Sequence, residues 1–133
     1  MRAVDTNVLI RLIVQDNSPQ TAAAKDFIRD GIWISTLALA ETMWVLAAIY
    51  GHSPDKIGEA IEMMLDLPNA VLQDAEAVEE ALSLFHGRPA LGFSDCLIIA
   101  LARKTGNLPL GTFDRRLAKV DGAHLLGGKS GRG

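Results

Sequence analysis

Apolar residues along this chain fall into two rhythms. Short unbroken runs predict strands at Met1–Val4, Ile32–Ile34, Ala70–Leu72, Leu108–Leu110 and Ala123–Leu126, and the stretches between them repeat at helical spacing. Thr6 or Asn7 caps a first helix carrying Val8, Leu9, Leu12 and Ile13 on one face. Ser18 and Pro19 open a second, which runs to Gly31 with Ala22, Ala23, Phe27 and Ile28 inward. Ser35 or Thr36 opens a third through Tyr50, with Leu37, Ala40, Trp44, Leu46 and Ala47 toward the core and Glu41 in its first turns. Ser53 and Pro54 repeat the cap signature for a helix through Leu67, and Asp74 caps one through Phe85 that buries Ala77, Val78, Ala81, Leu82 and Leu84. Residues 87–92 read as a loop, Ser94 or Asp95 starts a helix through Thr105, and Asp114 opens a short one through Lys119.

Strands alternating with helices predict the α/β class, with a central, mostly parallel sheet covered on both sides. No repeat or boundary divides the chain, so residues 1–126 form one domain and the GGKSGRG segment, 127–133, a flexible tail. A chain of 133 residues, 49% of them hydrophobic, has material for one buried core. No apolar run approaches the ~20 residues that span a bilayer, and no signal pattern follows Arg2 and Asp5, which reads as a soluble, cytoplasmic protein without a membrane partner. The single Cys96 has no disulfide partner, suits a reducing compartment and fits a small core position.

Net charge changes the picture of partners only when resolved along the chain. The total of −3 argues against nucleic acid, yet from Arg103 onward seven Lys and Arg face two acids, a balance of +5, against −8 before it. That basic end is either a phosphate-contacting surface or a solvated helix face followed by a polar tail.

Four acids stand beside strand or helix signals: Asp5 in AVDTNVLI, Glu41 in ALAETMWVL, Asp95 in FSDCLIIALA and Asp114 in GTFDRRLAK. In an open parallel sheet, ligands sit outside the carboxyl ends of the strands; Asp5 follows its strand directly, Asp114 follows Leu108–Leu110 by a few residues, and the helix starts carrying Glu41 and Asp95 generally face the same end. Two like charges about 4 Å apart repel by roughly 4 kcal/mol at an effective dielectric near 20, so such a cluster asks for a cation. All-oxygen ligation suits Mg²⁺ or Mn²⁺, and His52, His86 and His124 all lie outside the acidic motifs, which disfavours zinc. The plain alternative is that Asp5, Asp95 and Asp114 are N-caps; Glu41, flanked by Leu37, Leu39, Ala40, Trp44 and Val45, fits that alternative worst. Asn7, Ser94 and Thr112 serve either as caps or as groups that orient the acids. The GGKS at 127–130 lacks the first glycine of a phosphate loop and a following helix, and is set aside. Met43, Met63, Met64, Trp33 and Trp44 suit core packing or a partner-facing surface.

The segments VDTNVLIRL, STLALAETMWVL, FSDCLIIALA and LPLGTFDRRLAK resemble, in order and spacing over nearly the whole chain, the PIN-domain ribonucleases, and among them the VapC-type toxins of bacterial toxin–antitoxin pairs. That resemblance implies a three-layer α/β/α fold and a Mg²⁺- or Mn²⁺-dependent endoribonuclease. It matches Asp5, Glu41, Asp95 and Asp114 to the family's acidic positions, with Asp5 and Asp95 as direct metal ligands, and Asn7, Ser94 and Thr112 to its supporting polar positions. Arg115, Arg116 and Lys119 then hold the RNA backbone. Arg116 stands where some relatives carry a further acid, which bears on whether a second metal is held. The resemblance also implies a cognate VapB-like antitoxin and a homodimer, for which the apolar surfaces at Ile10–Val14 and Trp44–Tyr50 are candidates. Two other readings stand beside it: a PIN nuclease of RNA processing with identical chemistry, and a binding module with a relic acidic pocket. A phosphoacceptor module would need a second acid beside Asp5 and a lysine after a late strand, and has neither.

Overall fold

Every predicted strand forms in the computed structural model, which describes residues 1–127. They are β1 (Arg2–Ala3), β2 (Ile32–Ile34), β3 (Ala70–Leu72), β4 (Leu110–Thr112) and β5 (Ala123–Leu125). Six helices lie between them: α1 (Thr6–Val14), α2 (Ser18–Ile28), α3 (Thr36–Ala48), α4 (Pro54–Asp66), α5 (Ala75–Gly87) and α6 (Phe93–Lys104). The layers are α/β/α and all strand pairs are parallel, but hydrogen bonding divides the strands into two sheets, β1-β2-β3 and β4-β5. β4 starts two residues later than its apolar run because Pro109 has no N–H to give; Leu110 is the first donor, bonding the Gly122 carbonyl at 2.8 Å. The terminal tail beyond residue 127, with most of GGKS, lies outside the described residues.

Two apolar clusters hold these layers together. The larger gathers Leu9, Ile32, Ile34, Leu39, Leu46, Ile61, Met64 and Val78, each at most 1% exposed, with Cys96, Leu97 and Ala100 from α6. The smaller joins Ile99, from the other side of α6, to Leu117 and Val120, with Leu110 and Ala123 of the β4-β5 sheet packed against it. Helix α6 is therefore the beam between the two sheets, and Asp95 in its first turn is fixed relative to both.

The helices correct several expectations. Asp5 rather than Thr6 or Asn7 caps α1, its carboxylate accepting from the Val8 N–H at 3.2 Å. Asn17 caps α2, which ends at Ile28 and buries Thr21 and Ala24 while Ala22 and Ala23 stay exposed. Asp74 occupies the α5 cap position in the left-handed region, φ 57°, without a capping bond; its carboxylate pairs with Lys104 instead. α6 begins at Phe93, ahead of Ser94 and Asp95. The loop at 87–92 contains a 3₁₀ turn at Pro89–Leu91, and the helix expected from Asp114 contracts to a 3₁₀ turn at Leu117–Lys119.

The largest correction concerns α3. Its buried side consists of Ala38, Leu39, Thr42, Met43 and Leu46, whereas Leu37 and Trp44 are 68% and 62% exposed. A helix apolar nearly all round offers no unique inward stripe, so periodicity could not orient it. Thr42 can be buried because its hydroxyl donates to the Ala38 carbonyl at 2.7 Å. Among the other residues singled out, Met43 and Met64 are core, Met63 and Trp33 are exposed, and Ile10–Val14 packs largely inward while Ile49 stands out with Trp44. No helix among the described residues is long and apolar enough to cross a membrane.

Candidate active site

Asp5, Thr6 and Asn7 follow β1, and each does something different. Asp5 caps α1 through one carboxylate oxygen. Thr6 Oγ1 donates to Glu41 Oε1 at 2.9 Å, tying the start of α1 to the second turn of α3. Asn7 is shared between two surface depressions, one with Asp5, Val8, Arg11 and Phe27, the other with Thr6, Glu41, Trp44 and Ser94. The second is an open cleft of about 570 Å³ in which the apolar Leu37, Ala40, Trp44 and Val45 line the space together with Thr6, Asn7, Glu41 and Ser94. The rotation of α3 that exposes Leu37 and Trp44 is what places Glu41 toward this cleft.

On the other side, Asp95 is half-buried in α6. Burial, and then the charge of Asp114, hold its carboxyl above the usual carboxylate range. Asp114 follows β4 and accepts from the Arg116 and Leu117 N–H groups at 2.7 and 3.2 Å, with its own N–H donating to Thr112 Oγ1 at 3.0 Å. Thr112 thereby fixes the turn that carries Asp114. Arg115, Arg116 and Lys119 are exposed on that same turn. Cys96, fully buried beside Asp95, has its thiol pushed up to about 11 by burial and by the Asp95 charge, which makes it the inert core residue its surroundings suggested.

The structure thus brings Glu41, Asn7 and Ser94 to one cleft and couples Asp95 electrostatically to Asp114. Among the described residues, however, no three acidic, His or Cys side chains form a ready metal-holding group. Asp5, Glu41 and Asp114 each satisfy one oxygen with a hydrogen bond, Oδ1, Oε1 and Oδ1 respectively, and among the described residues none of these bonds reaches the second oxygen. In its chemistry this donor set fits a hard divalent ion: oxygen only, anionic, with a second oxygen to offer from each carboxylate and a repelled pair at Asp95 and Asp114 that a cation would relieve. Sequence reasoning missed Thr6 as a Glu41 partner, because a hydroxyl after a strand reads first as a cap. It also missed Trp44 as a cleft wall.

The family model of the PIN domain matches residues 2–123. The chain belongs to the PIN domain family. PIN domains are nucleases, and the match spans all four acids and every supporting residue discussed above. No curated protein matches the chain in sequence. Among solved structures, it is similar to the crystal structure of VapC20 of Mycobacterium tuberculosis, a sarcin-ricin-loop-cleaving toxin, at 18% identity and a TM-score of 0.43, covering 94% of this chain and 98% of that one.

Proposed function

We propose that this PIN domain is a divalent-metal-dependent endoribonuclease and the toxin of a toxin–antitoxin pair, working in the cytoplasm as a homodimer against RNA. The observation that carries the catalytic part is the cleft joining Thr6, Asn7, Glu41 and Ser94, contributed by three helices far apart in sequence, in a chain that matches the PIN family over residues 2–123. The toxin assignment, with its VapB-like antitoxin, rests on the four segments that resemble VapC-type toxins.

Asp5, Glu41, Asp95 and Asp114 would hold Mg²⁺ or Mn²⁺, with Asp5 and Asp95 as the direct ligands. When bound, such an ion supplies Lewis acidity toward a water and a phosphate oxygen. The chain's own part is positioning and charge. Thr6 holds the Glu41 carboxylate in one orientation, leaving Oε2 to accept a proton from, or orient, an attacking water. Asp95, kept above the usual carboxylate range by burial and by Asp114, gains most from the approach of positive charge. Arg115, Arg116 and Lys119 offer exposed cations next to Asp114 for the RNA backbone.

The test is cleavage of a single-stranded RNA panel by the purified protein with Mg²⁺, with Mn²⁺ and with chelator. Metal-dependent internal cuts, lost in Asp95→Asn and Glu41→Gln, support the reading. Cuts that persist in both variants or in chelator would instead point to a contaminant or another site.

A further inference from the structure

The β4-β5 sheet has an inner and an outer face. Leu110 and Ala123 pack inward against the cluster of Ile99, Leu117 and Val120, and the parallel register sets Gly111 beside His124, so the alternation of a strand turns these two outward. Next on that outer face come Phe113 and Leu126, 79% and 42% exposed. Leu126 still belongs to the ladder, its N–H donating to the Thr112 carbonyl at 2.8 Å. Phe113 is the most exposed of the large apolar side chains among the described residues, and it is held between that ladder and the hydrogen-bonded turn at Asp114. Gly127, at φ 67°, passes beside its ring; a Cβ there would stand 3.5 Å from Phe113 Cε1 and begin to cover what the glycine leaves open.

The surroundings of that ring are cationic. Arg115, Arg116 and Lys119 follow it on the same turn, all exposed, and none of the three is in an ion pair among the described residues. In sequence, residues 128–133 add Lys129 and Arg132 and carry neither an acid nor an apolar side chain. We infer that Phe113 is the stacking platform for one unpaired base of the RNA, with Arg115, Arg116 and Lys119 on the phosphates that flank that base. A bare aromatic ring among unpaired cations is complementary to a chain that offers flat apolar rings and negative charge together, as a single strand does; stacking needs no built pocket, because every base has a π-face. An apolar protein face would cover Phe113 and Leu126 but would have to desolvate the three cations beside them, which is why the polyanion is favoured. The inference rests on the nuclease reading above and adds to it the group that seats a base next to Asp114.

The experiment measures fluorescence anisotropy of a labelled, mixed-sequence single-stranded RNA with the full chain, in the Asp95→Asn background to keep the RNA intact. Adding Phe113→Ala is expected to weaken Kd about tenfold, the size of losing one stacked base, with the salt slope unchanged because no charge is removed. Phe113→Tyr should restore the affinity, whereas Phe113→Leu, apolar but without a π-face, should stay as weak as Phe113→Ala; circular dichroism verifies that each variant folds. Unchanged affinity in Phe113→Ala, or full affinity in Phe113→Leu, overturns the platform. Loss of a dimer in Phe113→Ala by light scattering, with RNA affinity intact, overturns it too and gives the surface to a second copy of the chain. Cleavage by the wild type with Mn²⁺ is scored separately. Cleavage with no effect of Phe113→Ala on binding refutes the platform alone, whereas the binding effect without cleavage refutes the nuclease alone.

Discussion

Replacing Thr6 by valine removes a single hydroxyl and keeps the β-branched shape, so it isolates the bond to Glu41. That bond is 2.9 Å long and its acceptor is a carboxylate oxygen. Hydrogen bonds to charged groups contribute about 1.5–3 kcal/mol when shielded, and the solvent access at this site argues for less, ~1 kcal/mol. If Glu41 must hold one orientation to take part in ion binding, that energy appears as a weaker Mn²⁺ affinity of roughly fivefold, smaller than the ~10–100-fold seen when groups orienting metal ligands are removed because this bond is solvent-accessible. Calorimetric Mn²⁺ titration of wild type, Thr6→Val and Thr6→Ser measures it, with thermal unfolding as the check on folding. Thr6→Ser should bind like the wild type because it keeps the donor. A Thr6→Val protein that binds Mn²⁺ as tightly as the wild type, or a Thr6→Ser protein as weak as Thr6→Val, refutes the reasoning.

Three further outcomes are expected. Because burial and Asp114 raise the Asp95 carboxyl above 3.8, the folded chain holds that proton more tightly than the unfolded one; the stability this contributes is full at low pH and fades as pH rises through the raised value. Asp95→Asn should therefore melt higher than metal-free wild type at neutral pH, by a margin that shrinks toward pH 4, while losing Mn²⁺ binding; a pH-independent margin would contradict it. The Cys96 thiol, buried and pushed to about 11, should resist iodoacetamide at neutral pH until the protein unfolds, as mass spectrometry can follow. Neutralising Arg115 and Arg116 together should weaken RNA binding and flatten the log–log salt slope by about 1.4, from ~0.7 per single-strand phosphate contact, in a filter-binding salt series; an unchanged slope removes both from the interface.

The strands and two of the helix caps were legible because they depend on local chemistry. Ser35 and Ser53 accept from Ala38 N and Lys56 N just where the cap signatures stood, and Ile32–Ile34 and Ala70–Leu72 form as read. The faces of α2 and α3 were not legible. α2 carries mostly small residues and α3 mostly apolar ones, so tertiary packing, not periodicity, chooses which side is buried. The same limit hid the site's second half. The four acids could be named from their flanks, but that Thr6 would hold Glu41, or that Trp44 would line the cleft beside it, depends on how α3 is rotated against α1 and α6. The division of the strands into two sheets, β1-β2-β3 and β4-β5, is likewise a long-range arrangement no local pattern encodes.

The central claim is that Asp5, Glu41, Asp95 and Asp114 share a divalent ion. It is tested most directly by calorimetric titration of the purified, partner-free protein with Mn²⁺ at neutral pH, alongside Asp5→Asn and Asp95→Asn variants whose folding is verified by circular dichroism. The account predicts saturable binding by the wild type that is lost in both folded variants. No binding by the wild type, even with an RNA oligonucleotide present, or binding undiminished in both variants, would contradict it and return these carboxylates to capping and packing roles.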